Sequence, residues 1–357
     1  MVRKTLQRES RRRILKTAAG ATAALALGSG PLSRIARAQA KTVYVNTWGG
    51  SWTAAEETAY FKPFTQATGI QIRTVAPVSF AKLKAQVQSG QYEWDVSGLG
   101  VVEYTQAVYE NLLEPVDCSV IDRAAIPPEN LRPNGVSSVT LSTCLVYRKD
   151  KFPNGGPQSW ADFWDVKKFP GNRCLYDRSF TSLAFALLAD GVPSDKLYPL
   201  DLDRAFKKLD QIKPHIKVWW SQGAQSQQLI QDGEVDMIAM WNARAQELID
   251  RGAPLEIVWN GAENYTSFRF VPKGNPRAKN AWEYLKFISE PKQEAAFCSI
   301  LPYGPNNPKS FDFITAEVAA KLPTRPDRLK VAHQPDAEWL GPRLAGIRER
   351  FAQWLAT

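Results

Sequence analysis

From Lys41 onward the chain switches repeatedly between two hydrophobic periods, and this alternation constrains its fold more than any other feature. "KTVYV" and "IQIRTVAPV" alternate as strands do. "AAEETAYFKPFTQATG" instead places Ala55, Ala59, Tyr60 and Phe64 at helical positions, with Gly69 placed to end the helix. "FAKLKAQVQSG" puts Leu83 and Val87 on one helical face and Gly90 just past its end. "WDVSGLGVV" reads as a buried strand running into a glycine turn, and "EYTQAVYENLLEPV" as the next helix. Strands and helices joined by such short connections build an α/β layer around a mostly parallel sheet.

The pattern breaks once. "SSVTLSTCLVYRKDKF", residues 137–152, is a long β-like run with no helix, followed by the loop-like "FPNGGPQSW". Alternation then resumes through the strands "RCLYD", "IKVWW" and "VDMIAMWN" and the helices "SFTSLAFALLADG", "QSQQLIQDG" and "ARAQELIDRG". "LEIVWN" and "YTSFRFVPKG" read as two more strands, and the chain beyond Pro276 as mostly helical. A length of 357 residues exceeds one ordinary domain. The expected fold is therefore α/β, with two lobes joined by extended crossing segments.

The basic character of the chain belongs to its first forty residues. They hold nine of the 45 Lys and Arg but only one of the 36 Asp and Glu, leaving 36 basic against 35 acidic side chains beyond them. The sequence pI near 9.3 is thus no argument for nucleic acid. A charged start, the apolar "TAAGATAALALG" and the small-residue site at Ala38-Gln39-Ala40 read as an export signal cleaved after Ala40. Its apolar run is shorter than the roughly 20 residues a bilayer requires. "SRRRILK", Ser10 to Lys16, fits the twin-arginine pattern with Ile14 where Phe is usual, and Arg34 and Arg37 near the cleavage site suit that route. The expected location is the periplasm, without a lipid anchor because no Cys sits at the cleavage site.

Four cysteines, Cys118, Cys144, Cys174 and Cys298, are too few for a disulfide scaffold and show no metal-ligand spacing. Cys144 and Cys174 both lie in strand-like runs, so a bond between neighbouring strands and four free thiols are both open.

Five segments in order resemble the spermidine/putrescine-binding branch of the periplasmic solute-binding proteins of ABC importers. They are "FTQATGIQI", "AKLKAQVQSGQYEWDV", "SWADFWDVKKFPGNRCLYD", "DGEVDMIAMWNARA" and "LPYGPNN", spread over nearly the whole mature chain. The resemblance implies a type II periplasmic binding protein: two α/β lobes with a hinge and an interlobe cleft that closes on a small-molecule ligand. It implies lobe 1 from residues 41–142 plus about 264–310, lobe 2 from 143–263, and a C-terminal helical segment, 311–357, packing on both. Partners would be ABC permease and ATPase subunits at the inner membrane. The chain is expected to be a monomer, with no cofactor, metal or nucleic acid.

The implied pocket carries over in part. Trp48 in "NTW", Trp241 in "MWN" and Tyr303 in "LPYG" match aromatic positions that pack on the ligand's stem or ammonium. Gly49 in "NTWGGSW" and Gly100 in "GLG" are expected to bring backbone to the ligand, while Trp52 packs on the following helix or the cleft rim. The family's amine-binding carboxylates do not carry over: Arg178 and Thr181 stand at two of those positions and Ser267, with Arg269 nearby, at a third. Asp177 remains, as a ligand or as a helix cap. Replacing carboxylates by a guanidinium reverses the charge the pocket seeks, so a carboxylate, phosphonate or zwitterion is expected. Arg178 and Ser179 at one helix N-terminus, and Ser221, Gln222 and Ser226 at another, are candidate oxyanion seats. Arg178 reads equally as a surface or interlobe ion pair, and Arg244 and Arg269 as solvated charges.

A true putrescine or spermidine binder is the alternative. An enzyme finds little support: His215 and His333 lack partner motifs, and no GxSxG, HExxH or P-loop occurs. A ferric-ion binder would show adjacent tyrosines. A sugar binder would use some of the twelve tryptophans, but its acidic and amide-rich rims are not evident.

Overall fold

A computed structural model describes residues 41–357 apart from Ala125, so the export signal read in residues 1–40 lies outside the described residues. Strands β1 (Thr42–Asn46) and β2 (Gln71–Val75) pair in parallel across the predicted helical run. That run consists of the helix Gly50–Glu56, a π turn Glu57–Phe61 and the helix Lys62–Thr68. Pro63 has no N–H to give its preceding turn, and the wider turn before it, in which the Lys62 N–H reaches the Glu57 carbonyl, absorbs the mismatch. Gly69 ends the run at φ 72°, in the left-handed conformation that a β-carbon disfavours. The helix Phe80–Ser89 starts where the Ser79 hydroxyl accepts from the Lys82 N–H at 3.3 Å.

Val45 bridges Val96 in parallel, which sets β3 (Ser97–Gly100) beside β1. The glycine turn expected after β3 is absent. The strand passes directly into the helix Val101–Tyr109, with Gly100 as an extended N-cap.

Two long strands organise the rest. β5 (Gly135–Arg148) and β9 (Leu255–Phe270) lie antiparallel along most of their lengths. The short β4 (Leu131–Arg132) and β10 (Gly304–Pro305) add to one end of β5. Its other end pairs with β8 (Met237–Trp241), followed by β6 (Arg173–Tyr176) and β7 (Ile216–Trp220) in parallel. β3 pairs with the far end of β9. Parallel pairing therefore holds within each half, whereas the crossing strands are antiparallel. "LEIVWN" and "YTSFRFVPKG" are one strand, not two. Between Thr143 and Leu145 the register on β9 jumps from Glu263 to Val258, and Gly261 at φ 72° lets the surplus bulge outward. The C-terminal segment straps this bulge: the Gly261 N–H reaches the Val331 carbonyl at 2.8 Å, and His333 bonds both Ala262 and Asn264.

All four thiols are free, with Cys118 exposed and the other three buried. β8 lies between Cys144 and Cys174, which sit opposite Met240 and Ile238 respectively, so the two strands that carry them are not neighbours. No described helix is long and apolar enough to cross a membrane. The helix Ser179–Ala189 is buried almost throughout, packing against Leu202–Ile212 and the last helix, Leu344–Ala356. Each large apolar side chain buried there contributes about 1.5–3 kcal/mol, which fixes the residue at its N-terminus, Arg178.

Candidate ligand-binding cleft

Strand ends converge on a cavity of about 170 Å3 between the two halves. The loop after β1 is rooted by Asn46, whose amide donates to the Val75 and Pro77 carbonyls at 2.9 and 3.1 Å and whose Oδ1 accepts from the Ser97 hydroxyl at 2.9 Å. Gly49 at φ 77° and Gly50 at φ 57° then swing the chain into its first helix, leaving Trp48 and Trp52 on the cavity. Trp48 meets Trp241, at the end of β8, edge to face with centroids 6.0 Å apart. Trp241 is braced by Tyr176 at 6.0 Å and Trp220 at 5.7 Å, the terminal residues of β6 and β7. Val78, Phe80, Leu99 and Leu141 extend the apolar lining, and β9 adds Tyr265 and the hydroxyl-bearing Ser267.

Charge enters from three elements. Arg178, the N-cap of Ser179–Ala189, donates Nε to Glu103 Oε1 at 3.1 Å and Nη2 to Oε2 at 2.7 Å. Arg348 of the last helix adds Nη2 to Glu103 Oε1 at 3.2 Å. Burial alone would raise the Glu103 carboxyl, but the two guanidiniums outweigh it and hold it below the usual range. Burial likewise opposes the charge on Arg178, and Glu103 more than restores it. The Arg178 guanidinium lies 4.3 Å from the Tyr265 ring centroid and 4.6 Å from that of Phe180. Its Nη1 is buried and has no acceptor among the described residues. Gly100 makes this packing possible, since a β-carbon there would lie 2.8 Å from Arg178 Nη2 and 2.7 Å from the Tyr265 ring.

Of the expected site residues, Trp48, Gly100, Arg178, Trp241 and Ser267 line one cavity. Gly49 shapes the turn behind Trp48. Tyr303 is fully buried, 5.3 Å from the Trp52 ring, so it backs the wall that Trp52 presents. Thr181 is also fully buried, donating to Glu263 Oε1 at 2.8 Å. Asp177 is exposed and makes no side-chain cap; the N-cap position falls on Arg178. Ser221 is exposed too, its N–H bonded to Gln225 Oε1 at 3.1 Å. The helix end that carries it packs under Arg244 and Trp241, which crowd Gly223, so this second oxyanion seat does not face the cavity.

Arg244 and Arg269 are not solvated: each is 1% exposed. The face of Asn242–Asp250 that carries Arg244 is covered, and Nη1 spans from Gln227 Oε1 at 2.8 Å to Ser51 Oγ at 3.4 Å. Arg269 pairs with the buried Glu56, whose other oxygen accepts from the Thr47 hydroxyl. Glu103, Arg348, Tyr176 and Tyr265 were not singled out from the sequence. Tyr176 and Tyr265 sit in strand runs that carried a signal; Glu103 and Arg348 sit on helices whose periodicity marks core positions only.

An aromatic-walled, partly cationic cavity between two halves strung on crossing strands defines a receptor for a small solute, of the type II binding-protein class. The chain belongs to the bacterial extracellular solute-binding proteins, whose family model matches residues 59–324. It is 37% identical over 330 residues to a gamma-aminobutyric acid-binding protein of Pseudomonas aeruginosa, covering 90% of this chain and 93% of that one. The A. tumefaciens R10 binding protein AgtB, solved with agropinic acid, superimposes with a TM-score of 0.84 at 31% identity, covering 88% and 99% of the two chains. The spermidine/putrescine-binding protein of Salmonella typhimurium is similar at 23% identity, over 81% and 84%. The protein is thus the periplasmic substrate-binding component of an ABC importer, capturing a small organic solute for a membrane permease and its ATPase.

Proposed function

We propose that the solute is a short zwitterionic amino acid of the γ-aminobutyrate type. The observation that carries this is the buried, free Nη1 of Arg178 on a cavity that Trp48 and Trp241 line. A ligand carboxylate would accept from Nη1, and the methylene chain would lie against the indoles. The volume of about 170 Å3 supports a small ligand, since pockets that take drug-sized ligands measure about 300–1,000 Å3. The relatives that bind γ-aminobutyrate and agropinic acid support a carboxylate-bearing ligand. On this reading the cleft closes by rotation of 143–263 against 41–142 plus about 264–310, with 311–357 packed on both. The register jumps in β5 and β9 at Thr143 and Glu263 support those boundaries. The chain acts as a monomer and binds without turnover, and Arg11 and Arg12 direct twin-arginine export.

Thermal unfolding of the mature protein tests the ligand class. γ-Aminobutyrate at 100 times its dissociation constant adds about 2.7 kcal/mol. The Arg178→Ala protein is expected to lose that stabilisation. Stabilisation by putrescine or spermidine, unchanged in the variant, would sink the proposal.

A further inference from the structure

Glu103 is the one acidic side chain among the described cavity-lining residues, and the amino-acid reading leaves it without a role. Building on that reading, we propose that Glu103 is the specificity-determining residue for the ligand's ammonium, and that it rejects a second carboxylate at the same place. Three observations converge on it. Its side chain is 10% exposed, so its charge acts in a medium of low effective dielectric. Arg178 and Arg348 hold it from two directions, which orients the carboxylate before any ligand arrives. From side chains, Oε1 accepts two hydrogen bonds and Oε2 one, and a carboxylate offers about four acceptor positions, so the two arginines do not saturate it.

Two guanidiniums against one carboxylate leave the cavity lining with one net positive charge, which draws in a ligand carboxylate. Glu103 is the one carboxylate in the described lining that an added ammonium can pair with, because the other charged groups there are arginines. A second ligand carboxylate in that place would meet Glu103 as a like charge. The rival role is purely one of position: Glu103 would only orient Arg178, and any carboxylate ligand would feel its loss equally.

Calorimetric titration with three four-carbon probes separates the two roles: γ-aminobutyrate, butyrate without the ammonium, and succinate with a carboxylate in its place. The wild-type protein is expected to bind γ-aminobutyrate most tightly. Glu103→Gln should weaken γ-aminobutyrate by about tenfold or more, change butyrate less, and tighten succinate. Glu103→Asp keeps the charge and should keep the wild-type order of the three. Unfolding curves of the ligand-free variants report whether each is folded. Equal weakening of γ-aminobutyrate and butyrate in Glu103→Gln would show a positioning role and overturn the assignment of Glu103 alone. A wild-type protein blind to γ-aminobutyrate overturns the amino-acid reading and this assignment with it.

Discussion

At the scale of single residues, the cleft depends on where a side chain is missing as much as on those present. Gly100 has an ordinary extended φ of −64°, so its backbone does not require glycine. The requirement comes from Arg178 and Tyr265, which press to within 2.8 Å and 2.7 Å of where a β-carbon would stand. Gly100→Ala should push the guanidinium off Glu103 and weaken γ-aminobutyrate, while overpacking costs about 1–3 kcal/mol of stability. Titration and urea unfolding of the variant read both effects; unchanged affinity would show that Arg178 does not hold the ligand. Trp48, Trp241 and Arg178 were legible in the sequence because each follows a strand-like run, where an α/β fold opens its clefts. Tyr303, placed beside them by the resemblance, instead follows the helix Pro291–Ile300 and lies behind Trp52, and one chain's pattern cannot tell the front of a wall from its back. Glu103 was hidden by good helix periodicity, in which a cavity-facing carboxylate looks like any other polar position.

At the scale of elements, the loop with Trp48 and Trp52 is held from below by a pair on two distant segments. Glu56 ends the first helix, just before the π turn, and Arg269 lies on β9, with the Trp52 ring 5.7 Å from its guanidinium. Both are fully buried, so neither charge has water to fall back on. Arg269→Met leaves Glu56 uncompensated and should cost about 3–5 kcal/mol in urea unfolding, whereas Glu56→Gln with Arg269→Met should recover most of that loss. A single-variant loss under 1 kcal/mol would mean that solvent reaches the pair. The alternation of elements was readable from hydrophobic period alone. The unity of β9 was not, because "NGA" carries turn chemistry, and only the partner strand β5 shows that it is a bulge.

At the scale of the whole molecule, the bulge where β9 passes between the halves encloses two titratable groups. Glu263 Oε2 and His333 Nε2 are 3.9 Å apart, and neither has a hydrogen-bond partner among the described residues. Burial raises the Glu263 carboxyl to about 7, with Arg178 and the Thr181 hydroxyl offsetting only part of it. Burial lowers His333 to about 4. Between pH 4.5 and 7 the folded state holds a proton on Glu263 that the unfolded state has released, so this group's contribution to stability falls as pH rises. Between pH 4 and 6.5 the folded state lacks a proton on His333 that the unfolded state holds, so that contribution rises. The two nearly cancel where they overlap. Glu263→Gln removes the falling part, so its stability relative to wild type should climb from pH 4.5 to 7 and then level, as read by melting temperature. A relative stability that falls over that range would mean that Glu263 is ionised beside a protonated His333.

The free thiols carry a consequence for how the chain matures. Cys144, Cys174 and Cys298 are sealed in the interior, and Cys118 alone is open to solvent. No covalent cross-link remains to be made once the chain has folded, and none would have to be broken and remade. The thiols are therefore in the same state wherever the chain folds, in a reducing cytosol as readily as in an oxidising envelope, and need no oxidase or isomerase on the far side of the membrane.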